Sequence, residues 1–551
     1  MFKRTFPIML LVALLILGLV GCGPAKPSNN GADAGDMQSI IRMTQDWPTY
    51  YDPAVGSSFS CTIAMINIYD PLVFPQLDGT VGPHVATKWD VSDDGLVYTF
   101  KIRDDIKFHS GNLLKAEDVV FSMQRMLTIG EGYAYLFVDV VEDVYAEDDT
   151  TVVMKLHEPF GPFPLTLVRF MIVEKALVTE HMNLDEDTYG EFGDYGKNWM
   201  LTNDAGSGPY KTKEFQLDEY LLGERFDDYF LGWEENAPQY FKISGAVDPV
   251  SVRTAMANKE LEITDEIQPI ENYNTMAGFE GVDVVAYESG TNCNMMLNTK
   301  KAPTDDVHFR RALAYAVDYD VILNDIYPDS IRSVGPVPSI VPGWNSDLEP
   351  FVFDLDRARE ELAKSKYADD PAMMTIDLTW CAEVPEQEKI ALLIQSNLEQ
   401  LGITLQVTRK PFGSMIADAQ TMETTPHASF VNFAPSYFEA GATLKTRYHS
   451  SSTGSWEQME WLQDPEIDAM IEDALSTVDL NERFQKYYDI QEKIVEIVPT
   501  VYLFNWVEKR ACQTGYVDWE PYLLLKEGKD FVYPMGYSLY VRGMKVYPDK
   551  R

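Results

Sequence analysis

HVATKWDVSDDGLVYTFKIRDDIKFHSGNLLKAEDVVFSMQR, residues 84–125, carries three local signals in a row. Asp93-Asp94-Gly95 is a hairpin-type turn, because Gly takes the left-handed backbone such turns need at no steric cost. Val97-Tyr98-Thr99-Phe100-Lys101-Ile102 has the period-two alternation of a half-buried strand. From Ala116 to Leu127 the period changes. Val119, Val120, Met123 and Met126 fall on one face at three- and four-residue spacing, which predicts an amphipathic helix.

Downstream, the same two periods recur. Thr151 to Leu156 reads as a strand, 158–164 as a Pro- and Gly-broken loop, and Gly206-Ser207-Gly208-Pro209-Tyr210 as the entry to further strand structure up to Arg225. Val250 to Asn258 reads as a helix, Asn294 to Asn298 as an apolar strand, and Phe309 to Ile326 as one helix with Ala312, Tyr315, Ala316, Tyr319 and Ile322 on a shared face. From residue 355 helix and strand alternate: helices over 355–365, 386–401 and 413–422, strands over 374–379, 403–408 and 428–433. This alternation predicts an α/β architecture with a partly parallel sheet. Helices over 465–475 and 480–497 and an apolar strand over 501–504 follow.

Upstream, the chain opens with Lys3 and Arg4, an apolar run from Phe6 to Val20, and then Leu19-Val20-Gly21-Cys22. The run is shorter than the ~20 residues of a membrane span and fits a secretory signal. A small residue and Cys at its end resemble a bacterial lipobox, which implies cleavage before Cys22 and lipid on that residue. Residues 23–37, rich in Gly, Pro, Ala, Asn and Asp, read as a flexible tether. The 551 residues exceed one hydrophobic core, so two or three domains are expected, and 45% hydrophobic with 12% aromatic residues suffices to build them. A formal net charge of -41 repels phosphate backbones and excludes nucleic acid as a partner. Five Cys stand far apart at 22, 61, 293, 381 and 512 with no C-x-x-C, and those beyond Cys22 are expected mostly as buried apolar residues. No G-x-S-x-G, P-loop or H-E-x-x-H is present, and the seven His lack metal-ligand spacing, so neither enzyme chemistry, cofactor nor metal is expected.

Three blocks carry a family resemblance: 84–125 quoted above, GSGPYKTKEFQLDEYLLGERFDDYF at 206–230, and LNTKKAPTDDVHFRRALAYAVDYDVI at 297–322. Together they resemble the family 5 extracellular solute-binding proteins of ABC importers, typified by oligopeptide- and dipeptide-binding proteins. LEQLGITLQV at 398–407 and residues 499–505 add weaker matches. The resemblance implies a two-lobed, class II periplasmic-binding-protein-like α/β fold. On this sequence, 38–72, 205–299 and 508–551 would form lobe I, 73–204 an extra inserted subdomain, and 300–507 lobe II. It implies a peptide-like ligand held in the interlobe cleft, an ABC permease and ATPase as partners, and a monomer tethered at the bacterial cell envelope. An oligosaccharide ligand is the alternative within the same fold, and a secreted hydrolase the reading from another class.

The same resemblance suggests binding residues. A segment that would hold extended peptide by main-chain hydrogen bonds maps to Ser57 to Phe59, and a cleft tyrosine to Tyr133 or Tyr135. In the segment that runs from Phe433 to Leu444, the family's first Asp, which pairs with a ligand ammonium, is replaced by Ser436, while Tyr437, Glu439 and Leu444 keep register; Phe433, Ser436, Tyr437 and Glu439 are the candidate ligand contacts. A buried ammonium without a carboxylate is costly, so either the amine anchor is absent or Glu439 substitutes for it. Trp344, Trp380, Trp456 and Trp461 are the candidates for stacking on sugar rings. Arg310, Arg311 and Asp318 are expected to form local ion pairs.

Overall fold

Two long strands organise the molecule. In the computed structural model, which describes residues 39–45, 50–217, 219–245 and 248–551, Asp283–Leu297 and Thr500–Cys512 run antiparallel from Asp283 opposite Cys512 to Met296 opposite Thr500. Their register breaks between Glu288 and Asn292. There Gly290 has φ +75, and an added Cβ would lie 2.9 Å from the Phe438 ring, so the bend requires Gly twice over.

One end of this ladder sits beside a four-stranded sheet in the order Ile40–Thr44, Tyr240–Ser244, Tyr220–Arg225, Tyr210–Gln216. Isolated bridges from Ile263 to Met43 and to Cys512 join the two. The other end belongs to a six-stranded sheet in the order Ile331–Arg332, Thr500–Cys512, Asp283–Leu297, Ala428–Phe433, Thr375–Cys381, Thr404–Lys410. Thr375–Cys381 pairs in parallel with both Thr404–Lys410 and Ala428–Phe433, through the helices Glu386–Glu399 and Phe412–Ala419. That is the α/β alternation read from residue 355. A third, antiparallel sheet, Ala86–Val91, Val97–Ile102, Thr151–Leu156, Val141–Asp148, carries the helix Ala116–Ile129. This is the opening stretch: the Gly95 turn has φ +71, and Val119, Met123 and Met126 are buried.

Separate apolar cores back the sheets. One gathers Phe100, Phe121, Leu221 and Trp519; another gathers Phe309, Leu378, Ile394 and Leu503. Cys61, Cys293, Cys381 and Cys512 are free and buried, as apolar residues. Cys22, the signal run and the tether lie outside the described residues. No helix among the described residues is long and apolar enough to cross a membrane.

Two local expectations are corrected. The helix over 309–326 is broken into Val307–Tyr315, Tyr319–Val321 and a final wide turn Ile322–Ile326. Asp318 causes the break by accepting from Val321 N at 3.1 Å, which caps a new helix start. Among the described residues Arg310 makes no ion pair. It donates to the carbonyls of Val498, Thr304 and Ile497, while Arg311 donates to that of Glu496.

Candidate functional site

A cavity of about 500 Å³ opens where the two long strands bend. Its floor is Tyr287, Ser289 and Thr291 from one strand and Trp506, Val507, Glu508 and Lys509 from the other. One wall comes from Phe59, from Glu266 to Ile270, and from the segment Tyr533 to Gly536. The other comes from Tyr327, from Glu383 to Glu386, and from Asn432 and Ala434. The space therefore lies between the part of the chain around the four-stranded sheet and the part around the six-stranded one. Its size falls within the range of ordinary ligand sites.

The floor is acidic. Arg510, fully buried, donates from Nε to Glu508 Oε1 and from Nη2 to Glu266 Oε2, both at 2.6 Å. Its Nη1 reaches Thr264 O at 2.8 Å and Gln45 Oε1 at 3.2 Å. One guanidinium thus faces two carboxylates. Burial pushes the Glu266 carboxyl up to about 6, with Arg510 pulling it down and the Glu508 charge pushing it further up. Tyr287 donates its hydroxyl to Glu508 Oε1 at 2.7 Å, and Lys509 pairs with Asp329 at 2.9 Å. Glu383 and Glu386 add two more carboxylates at the edge. Such a lining favours a ligand with positive charge.

The anticipated binding residues divide. Phe59 lines the cavity, but it opens the helix Phe59–Ile68 rather than continuing an extended segment. Ser57 is exposed and is not among the lining residues. Tyr133 is buried, its hydroxyl bonded to Thr62 Oγ1 at 2.8 Å. Tyr135 is exposed and shares a hydrogen bond with the Ser436 hydroxyl. Phe433 and Tyr437 are buried side chains near the wall, Phe433 beside Arg447 and Tyr437 edge-on to Phe160.

Glu439 requires a correction. Its carboxylate receives Arg483 Nε and Nη2, each at 2.9 Å, and the Tyr487 hydroxyl at 2.7 Å, all buried. It is 1% exposed and not among the lining residues, so its own chain, rather than a ligand ammonium in the cavity, takes its charge. The Trp candidates are corrected too. Trp344, Trp380, Trp456 and Trp461 are not among the lining residues, whereas Trp506 is. Trp380 lies under Arg409, Trp456 packs on Phe412, and Trp461 donates to Thr425 Oγ1 at 2.8 Å.

Sequence reasoning missed the Glu266, Glu508 and Arg510 cluster. The signal available was Glu508-Lys509-Arg510 directly after an apolar strand, where charge inside a sheet is unusual.

Comparison with known proteins agrees with this architecture. Residues 80–455 match the family described as bacterial extracellular solute-binding proteins, family 5 Middle. The chain is 27% identical over 401 residues to Di/tripeptide-binding protein 2 of Pseudomonas aeruginosa, covering 69% of this chain and 73% of that one. It is 24% identical over 557 residues to the dipeptide-binding protein of Escherichia coli, covering 92% and 97%. Among solved structures, the periplasmic binding protein DppA from Helicobacter pylori, in complex with peptide STSA, superposes with TM-score 0.75 at 20% identity, covering 93% of this chain and 100% of that one. The substrate-binding protein CtaP from Listeria monocytogenes gives TM-score 0.78 at 22% identity, covering 92% and 99%. These likenesses establish the two-lobed fold.

Proposed function

The chain belongs to the family 5 bacterial extracellular solute-binding proteins, and from that premise we propose that it captures a short peptide between its lobes and delivers it to an ABC permease. The observation that carries this reading is the cavity at the bend of the two long strands, enclosed by both lobes and lined with more carboxylates than cations. A free peptide ammonium is the cation such a lining accommodates, with Glu508 and Glu266, which line the cavity, in place of Glu439, which does not. Trp506, Tyr287, Tyr327 and Tyr533 supply apolar contact area for side chains. The volume suits a ligand of two or three residues. Several relatives bear the names of di- and tripeptide binders. Capture is binding alone. Lobe closure around the bend excludes water, and the peptide leaves unchanged. Cys22, as a lipidated N-terminus, would hold the binding protein at the envelope surface beside its permease; two acyl chains give stable anchoring where one is marginal.

The test is thermal unfolding with pooled tripeptides and with pooled oligosaccharides. A ligand that binds only the folded protein raises the midpoint by mass action. Peptides are expected to raise it and to be recovered intact. A shift with sugars alone, or recovery of cleaved peptide, would overturn the reading.

A further inference from the structure

A second cavity, of about 310 Å³, adjoins the first. Tyr533 and Ser538 line both, so the two spaces share a wall. The other sides of the second come from the strand Val73–Pro75, the start of the helix Glu520–Lys526 and the short turns Tyr537–Leu539 and Val541–Gly543. Five of its lining residues are aromatic: Phe74, Trp519, Tyr533, Tyr537 and Tyr540. Phe74 packs edge-on to Tyr537 at 5.4 Å and tilted against Tyr540 at 5.1 Å.

The polar atoms of these rings are already committed. Trp519 Nε1 donates to Ser538 O at 2.6 Å, the Tyr537 hydroxyl to Val168 O at 2.7 Å, and the Tyr533 hydroxyl to Glu520. The Tyr540 hydroxyl lies 3.2 Å from that of Tyr229. What the rings leave to the space is carbon surface. Among the described residues no cation stands in the lining, and its carboxylate, Glu520, is exposed, as are Gln76 and Leu77. A space bounded by ring faces suits a flat apolar group.

The acidic floor decides what that group is attached to. Glu508 accepts from the Tyr287 hydroxyl at 2.7 Å, and that hydroxyl is 3.0 Å from Ser538 Oγ. A ligand ammonium at Glu508 is therefore two hydrogen bonds from a residue that lines the second cavity. In a peptide the ammonium sits on the Cα that bears the first side chain, so that side chain is the one within reach. Each later side chain starts ~3.3–3.6 Å further along an extended chain.

Resting on the reading of the first cavity as a peptide site with its ammonium at Glu508, we propose that the second cavity receives the side chain of the peptide's N-terminal residue and selects an aromatic one. The side chain passes beside Tyr533, which bounds both spaces. That residue lies in a stretch, 529–534, outside helix and strand, and its hydroxyl is held by an exposed carboxylate. The incoming ring stacks among Tyr533, Phe74 and Trp519, while the peptide backbone stays in the first cavity.

The test titrates the purified mature protein with Phe-Ala-Ala, Ala-Ala-Phe, Leu-Ala-Ala and Ala-Ala-Ala, and with a tripeptide mixture randomised at all positions. Apparent affinities are read from the dependence of the unfolding midpoint on probe concentration. Phe-Ala-Ala and Ala-Ala-Phe share one composition, so their difference reads position alone. Phe-Ala-Ala is expected to bind tenfold or more tighter than Ala-Ala-Phe or Ala-Ala-Ala, with Leu-Ala-Ala between. Two variants fill the second cavity from residues that do not line the first. Gly543→Leu adds bulk where a Cβ meets nothing within 4 Å, and Leu77→Trp adds it from an exposed position. In each, Phe-Ala-Ala is expected to fall to the level of Ala-Ala-Ala, with Ala-Ala-Ala unchanged; either variant suffices where the other does not fold. If the wild type binds the mixture but treats the two isomers alike or prefers Ala-Ala-Phe, or if a folded variant keeps the preference, the second subsite is overturned and the peptide reading stands. An equal loss of Ala-Ala-Ala binding in the variants overturns it too. Binding of no tripeptide overturns both.

Discussion

Gly161→Ala probes lobe closure without touching the cavity. Gly161 lies in the loop 158–164 and donates its N–H to Leu475 O at 2.8 Å, across to the far side of the cleft. An added Cβ would fall well inside contact distance of the Thr477 carbonyl and the Arg483 guanidinium, neither of which is free to move. Arg483 is held bidentately by Glu439 and donates to Thr477 O. Overpacking of this kind costs about 1–3 kcal/mol, and here it applies only when the lobes meet. Peptide affinity should therefore fall about 5- to 150-fold, while the ligand-free protein unfolds as before. Gly413→Ala is the control, since its Cβ meets nothing within 4 Å. Calorimetric titration gives the affinity, and small-angle scattering gives the compaction on binding. If Gly161→Ala binds peptide with wild-type affinity and compacts fully, the contact at Gly161 is not part of the closed state and the reasoning fails.

Other outcomes follow from the charges. Glu439→Gln leaves Arg483 buried without its partner and should lower stability by about 3–5 kcal/mol in urea unfolding; a loss of ligand affinity at unchanged stability would instead make Glu439 a ligand contact. For Glu508→Gln, peptides with a free ammonium should lose affinity by tenfold or more, and N-acetylated peptides should not. Binding of free-ammonium peptides should strengthen as pH rises through about 6, where Glu266 ionises; the stability sign is opposite, since a raised carboxyl pKa favours the folded state below 4.5 and loses that contribution as pH rises through 6. Cys61, Cys293, Cys381 and Cys512 are all buried, and burial raises the thiols of the last three above their ordinary value, so a chain beginning after Cys22 should show no thiol accessible to a disulfide reagent until it is denatured.

Much of the fold was legible because it is local. The turn at Gly95, the strand Val97–Ile102 and the helix Ala116–Ile129 follow from periods of two and three to four, and the alternation from residue 355 produces the parallel pairs around Thr375–Cys381. The break at Asp318 was harder to read. The apolar face continues across it, and only the capping bond to Val321 ends the helix.

The site was far less legible, because its lining comes from segments hundreds of residues apart. Glu439 looked free in sequence, yet its partners Arg483 and Tyr487 lie 44 and 48 residues away on another helix. Glu266, Glu508 and Arg510 meet because Ile263 bridges to Cys512, a contact no local pattern reports. The Trp residues were misjudged for a related reason. Stacking needs a face open to the cleft, and only tertiary packing decides that Trp506 has one and Trp380 does not.

The most direct measurement is native mass spectrometry of the mature protein after incubation with the tripeptide mixture, followed by denaturation and identification of what is released. The expected result is one added mass per chain, released as intact tripeptides with free termini. An unchanged protein mass, or release of cleaved peptide, would contradict capture of a peptide in the interlobe cavity.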